Sequence, residues 1–222
     1  MFKYETHLHT AETSKCARSG GADMARRFAA LGYTGIFVTD HFFNGNTTVP
    51  ADAPWEDRVA LFCRGFDEAK TAGDALGLDV FFGWEYSLGW AHFLTYGLGR
   101  DWLLAHPDVL DWDPRRYADE VHAAGGALIH AHPFRRTGDP VVRLLPFDID
   151  GVEIWNAGRS DEENLPAAPY ARSLSLPVTA GSDIHKTSAP RRAGVFSDTR
   201  FASSADYLRA LAAGRLTLFA DA

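Results

Sequence analysis

Six short stretches of the chain each place a metal-ligating or ionisable side chain beside an apolar run. They are His7-Leu8-His9, Thr39-Asp40-His41, Gly83-Trp84-Glu85, Ala91-His92-Phe93, His130-Ala131-His132-Pro133 and Gly181-Ser182-Asp183-Ile184-His185. Strand side chains two residues apart point to the same side, so His7 and His9 can reach one ion. Imidazole and carboxylate suit zinc, manganese or iron, and the two cysteines, Cys16 and Cys63, are too few for a thiolate-rich structural site. The candidate ligands His7, His9, His41, Glu85, His92, His132, Asp183 and His185 exceed the needs of one ion. A cluster of two or three divalent ions is therefore expected, with a carboxylate such as Glu85 bridging neighbours.

For these groups to meet, they must stand at one rim of a sheet. Apolar runs predict strands over Phe2 to His7, Gly35 to Thr39, Asp79 to Trp84, His92 to Tyr96, Ala127 to Ala131, Gly151 to Ile154 and Pro177 to Ala180, with Arg215 to Phe219 a possible eighth. Helix-like stretches alternate with them, the pattern of a parallel α/β sheet or barrel. Met24, Phe28 and Leu31 make one apolar stripe, ended by Gly32. Val59, Phe62, Cys63, Phe66 and Ala69 make a second, with Gly73 as its expected break. Asp113-Pro114 is an N-cap followed by proline at the first helical position, Tyr117 and Val121 form the buried stripe, and Gly125-Gly126 ends it. A last helix starts at Ser203 or Ser204 and runs through Tyr207, Leu208 and Leu211. The run Asn44-Gly45-Asn46 through Pro54 reads as a long loop, a common place for a site.

With 222 residues, 46% hydrophobic and 23% charged, the chain is neither disordered nor collagenous. No internal repeat or linker divides it, so a single domain over residues 1–222 is expected. The longest apolar stretches, such as Leu78 to Trp84 with its Asp79, are far short of the roughly 18 residues of a membrane span. Met1 to Glu5 has neither the basic nor the apolar region of a signal peptide, which gives a cytoplasmic expectation with free thiols and no membrane partner. A net charge of -7 argues against long nucleic acids as partners and favours a small molecule.

The ordered motifs His-x-His, Asp-His, Gly-x-Glu, His, His-Pro and Ser-Asp-x-His, spanning Thr6 to His185, resemble the PHP (polymerase and histidinol phosphatase) domain family. The resemblance implies a distorted seven-stranded (β/α) barrel, a (β/α)7 fold, whose two- or three-metal site hydrolyses phosphate esters. It implies that His7, His9, Glu85 and Asp183 hold one ion, that Glu85, His92 and His132 hold a second, and that His41 and His185 serve a third. Where three-metal members often carry another histidine, six residues beyond the second His of His-x-His, this chain has Lys15. Either Glu12 or Cys16 completes a modified third site, or the Lys15 ammonium replaces the ion's charge and binds phosphate.

Arg18, Arg135 and Lys186 lie beside ligand motifs and are candidates for holding phosphate oxygens. Arg136, Arg191 and Arg192 read as solvated charges, and His106 and His122 as surface or helix residues. Asp40 is expected to orient a histidine by accepting its other ring N–H. His130, with the same expected facing as His132, is expected to hydrogen-bond behind the ligands. Cys16 is more often a small buried apolar residue than a ligand. Trp84, Trp155 and Asn156 either shape a pocket or pack.

The expected chemistry is hydrolysis of a small phosphate ester by a metal-bridging hydroxide, with Glu85, Asp183 and His185 in catalytic positions and His185 or a third ion stabilising the leaving alkoxide. A phosphomonoester ranks first, a small phosphodiester or nucleotide next, and histidinol phosphate is one candidate only. Two other readings stand beside it: an amidohydrolase-like C–N hydrolase, whose barrel also starts with His-x-His, and a metal-binding accessory module without catalysis. The motifs Asp40-His41 and Gly83-x-Glu85 favour the phosphoesterase.

Overall fold

The computed structural model describes residues 1–136, 142, 144, 145 and 148–221. Its elements are β1 (Phe2–Leu8), α1 (Gly21–Ala30), β2 (Gly35–Val38), α2 (Trp55–Leu76), β3 (Asp79–Leu88), β4 (Ala91–Tyr96), α3 (Arg100–Ala105), a 3-10 turn at Val109–Asp111, α4 (Pro114–Ala123), β5 (Ala127–Ala131), β6 (Gly151–Asn156), α5 (Asp161–Asn164), α6 (Ala167–Ser173), β7 (Val178–Gly181), β8 (Arg192–Ser197), α7 (Ser204–Ala212) and β9 (Thr217–Asp221). The strands form one sheet in the order β7-β6-β5-β4-β3-β2-β1-β8-β9. The pairs β1/β2, β2/β3, β5/β6 and β6/β7 are parallel, whereas β4 runs antiparallel to both β3 and β5.

The two ends of the β1 to β7 run meet. Leu8 bridges Ile184 in parallel, with His9 N donating to Ile184 O at 2.9 Å and Ile184 N to His7 O at 3.2 Å. A buried glutamate reinforces this seam: Glu5 accepts from Ser182 N at 2.8 Å, from the Ser182 hydroxyl and from His7 N at 2.9 Å. The result is a mixed α/β, nearly closed, distorted barrel. Strands β8 and β9 extend it antiparallel from β1.

Tyr4, Phe37, Phe81, Leu94, Tyr96 and Ile129 fill the barrel with Phe201 and Tyr207, the latter carried on α7. Each such buried aromatic or aliphatic side chain contributes about 2 kcal/mol of transfer free energy. Outside the sheet, α1 packs Met24 and Phe28 on Leu8, Ile36 and Val38. A second outer layer joins Phe62 of α2 and Tyr117 and Val121 of α4 to Trp84.

Several expected boundaries move: β3 runs on to Leu88 instead of ending at Trp84, and β6 to Asn156 instead of Ile154. Helix α2 continues through Gly73 to Leu76 and is ended by Gly77 at φ 71°. Gly73 is needed for close packing: a Cβ there would lie 2.9 Å from Leu78 O, against the strand that follows. The last strand is Thr217–Asp221 rather than Arg215 to Phe219, and β8 was not anticipated. The Asp113 cap behaves as expected, accepting from Arg116 N at 2.9 Å, and the last helix starts in a capping box of Ser203 and Asp206 that was not anticipated. Among the described residues no helix is long and apolar enough to cross a membrane.

Candidate metal centre

One rim of the barrel collects the ionisable groups, and the local backbone explains how. In β1, Tyr4 points into the barrel core while Leu8 packs outside against α1. Strict alternation would put both on the same side. A bulge between Glu5 and Leu8 shifts the register against β2 and turns His7 and His9 inward. The β3–β4 hairpin supplies the next pair: Glu85 lies within β3 and His92 is the second residue of β4, so the antiparallel turn brings both to the same rim. His132 and Asp183 follow their strands in left-handed backbone, at φ 28° and 53°. That reversal gives His132 a different facing from His130. His130 instead stacks on Phe93 and approaches the Tyr170 hydroxyl at 3.2 Å, and burial takes its pKa down to about 3.

Glu85 is the hub. Its oxygens lie 2.6 Å from His41 Nδ1, 2.8 Å from His92 Nδ1, 3.0 Å from His132 Nε2 and 3.6 Å from His7 Nε2. Asp183 Oδ1 is 3.3 Å from His9 Nε2 and 3.6 Å from His7 Nε2. Burial would raise both carboxyl pKa values, but the surrounding imidazoles hold them well below the usual carboxylate range: chiefly His92 and His41 for Glu85, and His7 and His9 for Asp183. Burial, together with His185 and His41, keeps His9 well below the ordinary imidazole value.

Three histidines are fixed to present Nε2. His7 Nδ1 is 2.9 Å from Glu153 Oε1, and His185 Nδ1 is 2.8 Å from the Asp183 carbonyl. His9 Nδ1 is 3.2 Å from Ser14 Oγ, which donates to Asp40 at 2.7 Å. Asp40 therefore acts on His9 through Ser14, not by the direct contact expected, while also accepting from the Thr10 amide and hydroxyl, both at 2.6 Å. With Nδ1–H committed, each Nε2 keeps its lone pair for a ligand.

The arrangement suits divalent ions. Glu85 Oε2 and His41 Nδ1 are buried and lack hydrogen-bond partners among the described residues although they face each other. His7, Glu85 and His132 offer donor atoms within 4.8 Å of one another, as do His7, His9 and Asp183, and His9, His41 and His185. Cys16 Sγ lies 3.1 Å from His41 Nε2. Although burial works against it, hydrogen bonds from His185 and His41 bring its thiol down to about 6.

A cleft of about 410 Å³ opens over this centre, lined by Glu85, His92, His132, Asp183, Arg135, Arg159 and the exposed Trp90. Arg135 Nη1 is 3.3 Å from His92 Nδ1. Arg18 and Lys186 line an adjoining groove, and Lys15 is exposed outside both lining sets. Glu12 accepts from Gly21 N at 3.0 Å, at the start of α1 and away from the histidines. His122 pairs with Asp150 and His106 bonds the Trp102 carbonyl, both outside the cleft. Trp84 is packing, its indole donating to Tyr117 OH at 2.7 Å, and Trp155 packs near Ala157 and Ala180. Asn156 steadies Glu153, donating to it at 2.8 Å.

Sequence reasoning missed Glu153 and Arg159. Besides facing His7, Glu153 accepts from His132 N at 3.0 Å, so one carboxylate orients two candidate ligand residues. Its signal was a lone charge inside the apolar strand Gly-Val-Glu-Ile-Trp. Arg159, whose Nη2 is 3.3 Å from Asp183 Oδ2, follows a strand end that carries no ligand motif.

No protein-family model matches the chain. It is 34% identical over 73 residues to a 5'-3' exoribonuclease of Haemophilus influenzae, a match covering 30% of this chain and 27% of that protein. A two-domain protein of Bacteroides vulgatus, containing a predicted PHP-like metal-dependent phosphoesterase, superposes with TM-score 0.74 at 16% identity, over 98% of this chain and 64% of that one. A candidate metal-dependent phosphoesterase of Bifidobacterium adolescentis superposes with TM-score 0.59 at 17% identity, over 95% and 96%. An amidohydrolase of Chromobacterium violaceum with bound sulfate and no metal gives 0.55 at 16%, over 82% and 87%. The chain spans less than two thirds of the Bacteroides protein, and at these identities what is shared is architecture: the chain has the fold of the PHP-like metal-dependent phosphoesterases.

Proposed function

We propose that the chain is a phosphoesterase of the PHP family that hydrolyses a small phosphate ester at a cluster of two or three divalent ions. The observation that carries this reading is the convergence of two buried carboxylates and six imidazoles on one cleft bordered by Arg135 and Arg159. His7, His9, Glu85 and Asp183 would hold one ion, and Glu85, His92 and His132 another. When bound, zinc, manganese or iron would supply Lewis acidity, lowering the pKa of water and neutralising phosphoryl oxygens. Arg135 and Arg159, whose buried Nε atoms have no hydrogen-bond partner among the described residues, would then orient the non-bridging oxygens of the ester. His41 and His185 would hold a third ion with Cys16 completing the set, since neither Glu12 nor Lys15 approaches them. Without that ion, His185 is the group that gives a proton to the leaving alkoxide: burial opposes its charge, but Cys16 and Asp183 raise its pKa above the ordinary value.

A phosphomonoester is the preferred substrate. A small nucleotide is the second reading, favoured by Trp90, 52% exposed on the cleft wall where a base can stack, and by the partial likeness to an exoribonuclease. The test is metal analysis of protein purified without chelator, with hydrolysis of an aryl phosphate, its diester and an aryl amide before and after metal removal. Two or three ions per chain and metal-dependent turnover of the phosphate esters are expected. Turnover of the amide alone would move the protein to the amidohydrolase reading, and bound metal without any turnover to the accessory one.

A further inference from the structure

The two cysteines of the chain have opposite surroundings. Cys63 is buried on α2 at 1% exposure, with the Arg100 guanidinium against it. Cys16 is half-buried in the segment between β1 and α1, and it lines both the cleft over the carboxylates and an adjoining groove of about 630 Å³. Its sulfur is therefore reached from two sides. Around it stand imidazoles: Sγ lies 3.1 Å from His41 Nε2, and His185 is the second ring against it. His9 stacks on His185 and lies 4.3 Å from His41, ring to ring. Arg18, Arg159 and Lys186 border the groove.

A second observation marks this place as one that takes a ligand. Glu85 Oε2 and His41 Nδ1 belong to the wall of the same cleft, on residues 1% and 7% exposed, and neither atom has a hydrogen-bond partner among the described residues. His41 turns Nδ1 to Glu85 and Nε2 to Cys16, so it joins the sulfur to that position. Reactive cysteines sit in partly exposed, electropositive surroundings, whereas buried ones are inert. A thiol that ligates a divalent ion is deprotonated outright. Both arguments single out Cys16 over Cys63 as the nucleophile.

We propose that Cys16 is a peroxide-reactive thiol whose oxidation releases the ion held with His41 and His185. This rests on the reading of Cys16 as a ligand of that third ion, and it makes occupancy of the site answer to an oxidant as well as to metal supply. In the step, the Cys16 thiolate attacks one oxygen of hydrogen peroxide. An S–O bond forms as the O–O bond breaks, and hydroxide leaves. The sulfur loses two electrons and the peroxide gains them. The product is a sulfenic acid, which lacks the anionic sulfur that held the ion. Two equivalents of a small thiol reverse the change: the first forms a mixed disulfide with loss of water, and the second displaces the Cys16 sulfur.

The experiment uses the zinc-loaded protein, because zinc has no redox chemistry of its own. Hydrogen peroxide is added, sulfenic acid is trapped with dimedone and located by peptide mass spectrometry, and released zinc is read with a chromogenic chelator. Dimedone is expected on Cys16 and not on Cys63, with loss of one ion per chain. In an untrapped sample, a small thiol with added zinc is expected to restore the original content. Cys16→Ser is expected to show neither the adduct nor the peroxide-dependent release, and the adduct map of the unaltered protein stands whether or not that variant folds. An adduct on neither cysteine or mainly on Cys63, or an adduct on Cys16 with zinc content unchanged, overturns the proposal. Failure of the ligand reading shows before any oxidant is added, as equal zinc in the reduced unaltered and Cys16→Ser proteins. None of these readouts needs turnover, so they stand apart from the test of ester hydrolysis.

Discussion

Replacing Glu153 with glutamine tests whether a carboxylate outside the ligand set controls metal binding. Glu153 is buried, and its two oxygens are used differently: Oε1 faces His7 Nδ1 at 2.9 Å, while Oε2 accepts from His132 N at 3.0 Å and Asn156 Nδ2 at 2.8 Å. A glutamine offers one oxygen and one NH2, so it cannot serve both sides. If its NH2 faces His7, the imidazole must accept there, its proton moves to Nε2, and the lone pair aimed at the ion is lost. If its NH2 faces the other way, the His132 amide and Asn156 lose their acceptor, and the left-handed backbone at His132 loses a support. Outer partners of this kind are worth about 10- to 100-fold in metal affinity, or about 1.4 to 2.7 kcal/mol. Competition against a chelator measures the affinity. The ¹⁵N spectrum of His7 in the metal-free protein reads its tautomer above about pH 10, since burial would lower its pKa but Glu153 and Asp183 outweigh this and raise it to about 9. Unchanged affinity together with an unchanged tautomer would refute the argument.

Stripping the metal is expected to lower thermal stability: an ion at a hundred times its Kd contributes about 2.7 kcal/mol, which for a chain of this size is roughly 5 to 10 °C in Tm. A melting scan with and without chelator checks this, and identical curves would count against it. Cys16→Ser is expected to remove a thiolate-to-cobalt charge-transfer band from the cobalt-substituted protein and to reduce bound cobalt by about one ion per chain, whereas a spectrum identical to that of the unaltered protein would exclude sulfur ligation. Burial raises Glu5 from 4.5 to about 7 despite the hydrogen bonds from Ser182, so the folded chain holds a proton that the unfolded chain has released. Stability therefore falls as pH rises from 4.5 to about 7, by about 3 kcal/mol for this group, and Glu5→Gln abolishes that part of the slope. Urea unfolding of the metal-free proteins at pH 5 and pH 7.5 gives the double difference, and a value near zero would be contrary to expectation. Gly181→Ala would put a Cβ 2.5 Å from His7 Cβ and 2.7 Å from Glu153 Oε1, so metal affinity should fall with little loss of secondary structure. Equilibrium dialysis with circular dichroism checks both.

The strands that carry ligands were legible because each pairs a short apolar run with a polar end, and residues 127–131 were found to the residue. What the period-2 rule could not show is where it is interrupted. The bulge before Leu8 and the positive φ at His132 and Asp183 aim three of the ligand-bearing segments, yet no turn-forming glycine stands at any of those positions. Strand β8 opens with Arg192, contains Gly194 and pairs antiparallel with the start of the chain, so only a distant partner makes it a strand. Glu5 and Glu153 were each visible as a carboxylate in an apolar strand, but what they hold, a seam and a pair of histidines, depends on residues far away in sequence.

The seam between β1 and β7 also fixes when each ion can be held. Glu5 and Ser182 are 177 positions apart, among the most distant contacts in the molecule, and such a closure must offset a large loop entropy before it is rewarded. The set His7, Glu85 and His132 is complete once the chain reaches His132, just past β5, but the sets containing Asp183 and His185 need the chain as far as the seam. The residues of those later sets come from both sides of the joint, so an ion held by them would act like a clasp fastened after the garment is closed. Any ion held there would contribute little to the folding rate and would act mainly by slowing unfolding, so metal occupancy would set the lifetime of the closed barrel more than the speed of its making.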